Sequence, residues 1–402
     1  MDLGYIGPMP APRQFDVIIF GAGAAGLMCA ATAGQRGRKV ALLEHNGQPG
    51  RKILISGGGR CNFTNIHCSP QNFISENKHF AKSALALYQP RHFLELVDRY
   101  QIPWHEKTLG QLFCDGSARA ILDMLLAECA LGNVEVLINA GAISVESSSR
   151  EFAVSCAHGL LRAPALVVAT GGLSIPKIGA TPLGYDLARQ FGLKLIEPRP
   201  ALVPLVLGGE EKSWTSLAGV SALVTAEAGG VRFEEKLLIT HRGLSGPAVL
   251  QASSYWAPGK PLTVDFAPGQ SATQGLLAAL REPKARRDPP ALRQALREVL
   301  PQRLASFLAE TGAPAGWSNG ALEACERRLR RWDFHPAGTE GFEKAEVTSG
   351  GVDTDGLHAR SLEARAVPGL FFIGEVVDVT GWLGGYNFQW AWASGVAAGR
   401  AV

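Results

Sequence analysis

The stretch that most constrains this chain is Phe15 to Glu44, FDVIIFGAGAAGLMCAATAGQRGRKVALLE. A short apolar, β-branched run, Phe15–Phe20, stops at glycine and reads as a buried parallel strand. Gly21, Gly23 and Gly26 then form G-x-G-x-x-G, with Ala24 and Ala25 inside it. The first glycine allows a tight turn. The second lets backbone approach a pyrophosphate, and the third lets the helix pack on the strand. An Ala-rich helix follows, aiming unpaired N–H groups at the phosphates. Val40–Leu43 reads as the next strand, and Glu44, eighteen residues after Gly26, stands where a ribose hydroxyl would be accepted.

The chain's 402 residues leave room for two or three domains, and 47 glycines with 46% hydrophobic residues suit an α/β enzyme. A net charge of +3 excludes a polyanion binder along its whole length. The charge is uneven, however: Arg281–Trp332 carries eleven Lys/Arg against six Asp/Glu. Seven cysteines with no C-x-x-C favour reduced thiols and a cytoplasmic setting. The nine scattered histidines give no metal-ligand pattern, so no metal is expected. No apolar window is long enough to span a membrane. Residues 1–14 read as a loose tail without signal-peptide character.

Residues 45–65 read as loop-rich. Within them Ser56-Gly57-Gly58-Gly59-Arg60-Cys61-Asn62 offers backbone free to lie against a flat ligand, with Arg51, Lys52 and Arg60 adding positive charge. One helix is expected over His79–Tyr100, loop and strand over Trp104–Phe113, and a helix over Ser117–Ala130. A strand at Val134–Ile138 and a hairpin of Phe152–Ser155 with Leu160–Ala163 come next. The strand from Ala165 ends in Ala169-Thr170-Gly171-Gly172, a second close-approach edge.

After Pro198 the texture becomes short runs separated by turns. Leu202–Leu207, Ala222–Ala226, Val231–Phe233, Leu237–Thr240 and Leu262–Phe266 predict a small antiparallel sheet or barrel. Gln274–Ala309 and Ala321–Trp332 read as helices. Gly369–Glu375 returns to the buried-strand pattern. Gly384-Gly385 then precedes a small-residue helix, a second set of free N–H groups suited to a flavin ring.

Together these motifs resemble the BaiN/YhiN-type flavoproteins. The shared segments are GAGAAG (21–26), GRKILISGGGRCN (50–62), ATGG (169–172), THRGLSGP (240–247), TSGGV (348–352) and GEVVDVTGWLGGYNFQWAWASG (374–395). The resemblance implies a discontinuous Rossmann-like FAD-binding domain, 15–197 and 346–402. It carries an inserted β-barrel-like domain, 198–273 and 333–345, which itself holds a helical insert, 274–332. It further implies that Gly21, Gly23, Ala24, Ala25, Gly26, Glu44, Gly57, Arg60, Cys61, Asn62, Thr170, Gly171, Gly374, Glu375, Asp378, Gly385, Tyr386 and Asn387 line the FAD. One departure is Thr181-Pro182-Leu183-Gly184-Tyr185, where the family reads close to S-T-G-D-G-Y.

The resemblance also implies reduction of a polarised C=C bond, either uridine in large-subunit (23S) rRNA or an unsaturated steroid-like enone. The chain has no second G-x-G-x-x-G, so NADH or NADPH is expected as a transient hydride donor. Such chemistry needs an acid, for which Cys61 and Tyr386 are candidates, and His241 on the inserted domain is a catalytic candidate that would face the substrate; each also reads as a side chain that is only structural. Trp382, Trp390 and Trp392 read as core or as stacking surfaces. Arg286, Arg287, Arg293, Arg297, Arg327, Arg328, Arg330 and Arg331 would face ribosomal RNA if the substrate is RNA; a small enone would need an apolar cavity. A flavin-bound redox sensor without turnover is the non-enzymatic alternative.

Overall fold

The computed structural model describes residues 11–148, 151–269 and 275–402. Most of the expected tail and the expected helix start at Gln274 lie outside these. The chain forms two compact units, 1–199 with 347–402, and 200–346.

The first unit is built on a five-stranded parallel sheet. Its order is Leu370–Phe372, Ala165–Val168, Val17–Phe20, Val40–Leu43, Glu135–Leu137. The three middle strands are buried at every position, which is why they read as unbroken apolar runs. Helix Ala24–Gly34 packs against the C-terminal helix Tyr386–Ala401. Small residues permit the approach: a Cβ on Gly395 would stand 2.6 Å from the Ala25 carbonyl oxygen, and one on Gly399 2.7 Å from that of Cys29. Arg36 closes the seam, donating to the Gly399 and Val402 carbonyls at 2.9 and 3.0 Å. Trp390 and Trp392 are core residues. Their indoles donate to the Gly374 and Phe63 carbonyls, and Trp392 stacks on Phe93.

Four local expectations change. Arg51–Ile55 is helical rather than loop, and the backbone departs from helix at Ser56–Gly58, where Gly57 and Gly58 take φ of 57° and 67°. The His79–Tyr100 helix is two, Lys82–Leu87 and Pro90–Arg99, because Pro90 holds Gln89 extended. Trp104–Phe113 is a pair of antiparallel strands, Trp104–Glu106 and Gln111–Cys114, the latter also pairing with Asn62–Asn65. Arg13–Gln14, placed in the tail from sequence, pairs in parallel with Leu161–Arg162.

The second unit holds a seven-stranded antiparallel sheet, ordered Trp332–Phe334, Leu262–Asp265, Ser221–Ala228, Val231–Ile239, Gly243–Ser245, Leu205–Val206, Gly338–Thr339. Val231–Ile239 is one strand, not two runs, since its alternate residues Phe233, Leu237 and Ile239 are buried, Glu235 between them is half-buried, and Glu234 and Lys236 are exposed. The helices Ala278–Arg281, Pro289–Arg297, Gln302–Thr311 and Asn319–Leu329 fall, in chain order, between the paired strands Leu262–Asp265 and Trp332–Phe334. The last helix stops at Leu329, because Trp332 opens a strand and packs edge-on against Trp214. No helix among the described residues is long and apolar enough to cross a membrane.

Candidate dinucleotide site

The carboxyl ends of the parallel strands gather the glycines found in the sequence. Gly21 has φ 96°, donates its N–H to the Leu43 carbonyl, and a Cβ there would lie 2.5 Å from the Ala169 carbonyl oxygen. A Cβ on Gly26 would lie 1.9 Å from the Gly21 carbonyl oxygen, so this residue must be glycine for helix and strand to meet. Gly23 differs: nothing lies within 4 Å of where its Cβ would be. The protein's own packing does not demand a glycine there, yet the residue caps a helix that no side chain caps. Open space at an uncapped helix N-terminus is what a phosphate would fill. Gly171, at φ 76°, faces equally open space, and the neighbouring Thr170 hydroxyl is buried without a hydrogen-bond partner. These features fit a dinucleotide laid across the sheet edge.

Glu44 is 6% exposed and already engaged. Its Oε1 accepts from the Asn46 backbone and side chain at 2.9 Å each, and its Oε2 from Ala22 N–H at 3.0 Å. The remaining acceptor capacity therefore sits mainly on Oε2.

Gly57 lies in the kink, and Arg60, Cys61 and Asn62 follow it. Asn62 faces Gln111 at 3.0 Å, and a Cβ on Gly385 would come within 2.9 Å of the Asn62 Oδ1. Cys61 and the second glycine pair are thus on neighbouring backbone. Cys61 itself is fully buried, and burial pushes its thiol up to about 12. Desolvation is the largest cause, and the adjacent Arg60 does not offset it. Tyr386 opens the C-terminal helix at 8% exposure, with Phe73 and Trp382 edge-on to its ring. Burial raises its phenol above the usual range, with a smaller contribution from Cys68. The Asn387 side chain closes the preceding turn, accepting from Gly381 N–H at 2.8 Å and donating to the Gly381 and Trp382 carbonyls.

Gly374 has φ 71° and donates to the Ser394 hydroxyl. Asp378 is buried and accepts from Glu76 N–H at 2.9 Å and from the Ser75 hydroxyl; burial raises its carboxyl. Glu375 is engaged within the protein. Its carboxylate accepts from Thr348 N–H at 2.9 Å, the Ser174 hydroxyl at 3.1 Å and the Lys52 ammonium at 2.7 Å. Sequence reasoning took Lys52 only as diffuse charge and missed Ser174 and Thr348. The remaining signal was position alone: Ser174 follows A-T-G-G directly, and Thr348 opens the T-S-G-G-V segment. His241 lies in the second unit, exposed in the turn between Val231–Ile239 and Gly243–Ser245.

The arginines of the helical insert divide by task. Arg287 donates to the Trp317 and Arg281 carbonyls, and Arg328 to those of Gly312 and Ala313. Arg330 and Arg281 flank buried Glu326, which also accepts from Leu276 N–H at 2.8 Å. Arg286 pairs with Asp288, and Arg293 with Glu310. Arg297, Arg327 and Arg331 are exposed.

The fold and site define a Rossmann-type α/β protein with a dinucleotide-binding edge. The chain belongs to the family described as HI0933-like protein Rossmann domain, whose model matches residues 15–401, in keeping with the resemblance carried by its motifs. It is 48% identical to the ribosomal RNA dihydrouridine synthase of Escherichia coli and 43% identical to that of Haemophilus influenzae. Each alignment runs over 396 residues and covers 96% of this chain and 98% of the relative. It is 30% identical over 410 residues to the 3-dehydro-bile acid delta(4,6)-reductase of Clostridium scindens, with the same two shares covered.

Proposed function

We propose that the protein is a cytoplasmic FAD-dependent oxidoreductase that reduces uridine to dihydrouridine in 23S rRNA, with NADH or NADPH as transient hydride donor. The observation that carries this reading is its 48% and 43% identity, over nearly the whole length of both chains, to two proteins named for that reaction. The free thiols of all seven cysteines accord with a reducing compartment.

Gly21, Gly23, Ala24, Ala25 and Gly26 hold the pyrophosphate on backbone N–H groups, and Glu44 Oε2 takes the adenosine ribose. Thr170 and Gly171 border the cofactor, with the Thr170 hydroxyl gaining the partner it lacks within the protein. Gly57, Arg60, Cys61 and Asn62 run alongside, and Gly385, Tyr386 and Asn387 present the second helix N-terminus. Gly374, Glu375 and Asp378 shape the site by holding neighbouring groups. When bound, FAD relays hydride from the nicotinamide to one alkene carbon. The other alkene carbon takes a proton, which we assign to Tyr386. Its raised phenol keeps the proton through neutral pH, and it starts the helix that the glycine pair precedes. Cys61 is sealed in the core and supports packing instead. Arg297, Arg327 and Arg331 serve rRNA phosphates, while the other insert arginines brace the insert.

The Clostridium scindens relative favours a second reading, reduction of a small enone. Stopped-flow measurement separates the two. The flavin is bleached with NADH or NADPH and mixed with undermodified rRNA, a steroid enone or oxygen. Reoxidation by rRNA faster than by oxygen supports the first reading, and by enone the second. No acceptor outpacing oxygen argues for a redox sensor without turnover.

A further inference from the structure

Lys52 stands at a junction that no part of the reading above explains. It lies in the first helical turn after Gly50, and its ammonium reaches across to segments that follow two other strands of the parallel sheet. It donates to the Ser174 hydroxyl at 2.6 Å and to Glu375 at 2.7 Å. Ser174 passes its own proton to the other oxygen of Glu375, whose third donor is Thr348 N–H. The Thr348 hydroxyl in turn accepts from Leu173 and Ser174 N–H at 2.8 and 3.2 Å. The carboxylate holds three protein donors, two on Oε1 and Lys52 alone on Oε2, while the ammonium has three protons and only two are spent. The Lys52 side chain is 34% exposed, so its third proton is not sealed in. The cluster also adjoins the open edge. A Cβ on Gly172 would meet the Thr348 hydroxyl oxygen at 2.4 Å and Glu375 at 2.7 Å, and Gly172 directly follows Gly171, which faces empty space.

We infer that Lys52, held in place by Glu375 and Ser174, is a cationic positioning residue for the phosphates of the bound dinucleotide. The inference rests on the FAD reading. Neighbouring cations are placed otherwise: Arg51 donates to the Asn46 side chain at 2.8 Å, and Arg60 is exposed beyond the kink. A fixed ammonium whose long stem is already immobilised loses little entropy when it meets a phosphate, and a charge-assisted contact of this kind is worth about tenfold or more in affinity.

The test is FAD titration of the apoprotein, followed by flavin fluorescence, with apoprotein melting in parallel. Lys52→Met raises the dissociation constant about tenfold, and Lys52→Arg restores most of the loss. Glu375→Gln carries the sign test. It removes a negative charge and leaves Lys52 uncompensated, so FAD binds more tightly; a merely structural ion pair gives weaker binding instead. If Lys52→Met does not fold, the Arg and Gln variants decide. An unchanged dissociation constant in Lys52→Met, or weaker binding in Glu375→Gln, overturns the inference. Failure of the parent protein to bind FAD at all would sink the cofactor reading itself, a distinct result.

Discussion

Gly23 and Gly26 are three residues apart in one motif, yet they are glycine for different reasons, and the difference is measurable. Gly26→Ala drives a methyl into the Gly21 carbonyl and is expected to cost about 3 kcal/mol or to prevent folding. Gly23→Ala meets only open space, so the apoprotein should melt within a degree or two of the parent while FAD affinity falls about tenfold or more. Equal melting losses in both would refute the claim that Gly23 serves a ligand. The two proton-donor candidates also separate at this scale. Cys61→Ser should leave turnover within a few-fold, and native Cys61 should resist alkylation at pH 8, because its thiol is buried and raised to about 12. Tyr386→Phe should slow the proton-requiring step about 100-fold without altering the flavin spectrum. Since the phenol is raised, its protonated, donating form persists upward in pH. The rate should therefore stay level through the range where an ordinary phenol titrates and decline only above it. A decline beginning near neutrality would point to another acid.

Among the elements, the helical insert carries the sharpest contrast. The sequence shows a run of arginines and no way to sort them, because a guanidinium that braces a carbonyl reads the same as one facing water. The structure sorts them by partner. Arg330→Glu places a negative charge beside buried Glu326 and should cost about 3 kcal/mol, seen as loss of the insert's helical signal. Arg327→Glu with Arg331→Glu should leave melting unchanged, weaken rRNA binding and lower the salt slope by roughly 2. Unchanged binding would move the RNA contact elsewhere. The same limit explains what else was legible. Buried strands and glycine turns declared themselves, since Val17–Phe20 or Ala165–Val168 can only be interior and Gly26 can only be a contact. Pro90 marks a break that the helical periodicity on either side of it masks. The charged middle of Val231–Ile239 hid a single strand, because Glu234-Glu235-Lys236 interrupts the apolar alternation with three consecutive charges, which resembles a turn. Lys52, Ser174, Thr348 and Glu375 come from four distant segments, and no local pattern announces that they meet.

At the scale of the whole molecule, the first unit is assembled from both ends of the chain. Helix Ala24–Gly34 and helix Tyr386–Ala401 share a seam of small residues, and Gly374, just beyond strand Leu370–Phe372, is tied to that C-terminal helix through Ser394 and Trp390. A chain ending before Tyr386 should therefore lose the fold of this unit as well as its FAD, recovered as insoluble protein. The central claim is that the folded protein, once loaded with flavin, adds two hydrogens to a uridine of 23S rRNA. Its most direct test is mass spectrometry of rRNA fragments after incubation of undermodified rRNA with the yellow holoprotein and NADPH or NADH. The account predicts one fragment heavier by about 2 Da, with dihydrouridine at one position and none when Tyr386 is Phe. Unshifted fragments from a holoprotein whose flavin is reduced and then reoxidised by an enone would contradict it.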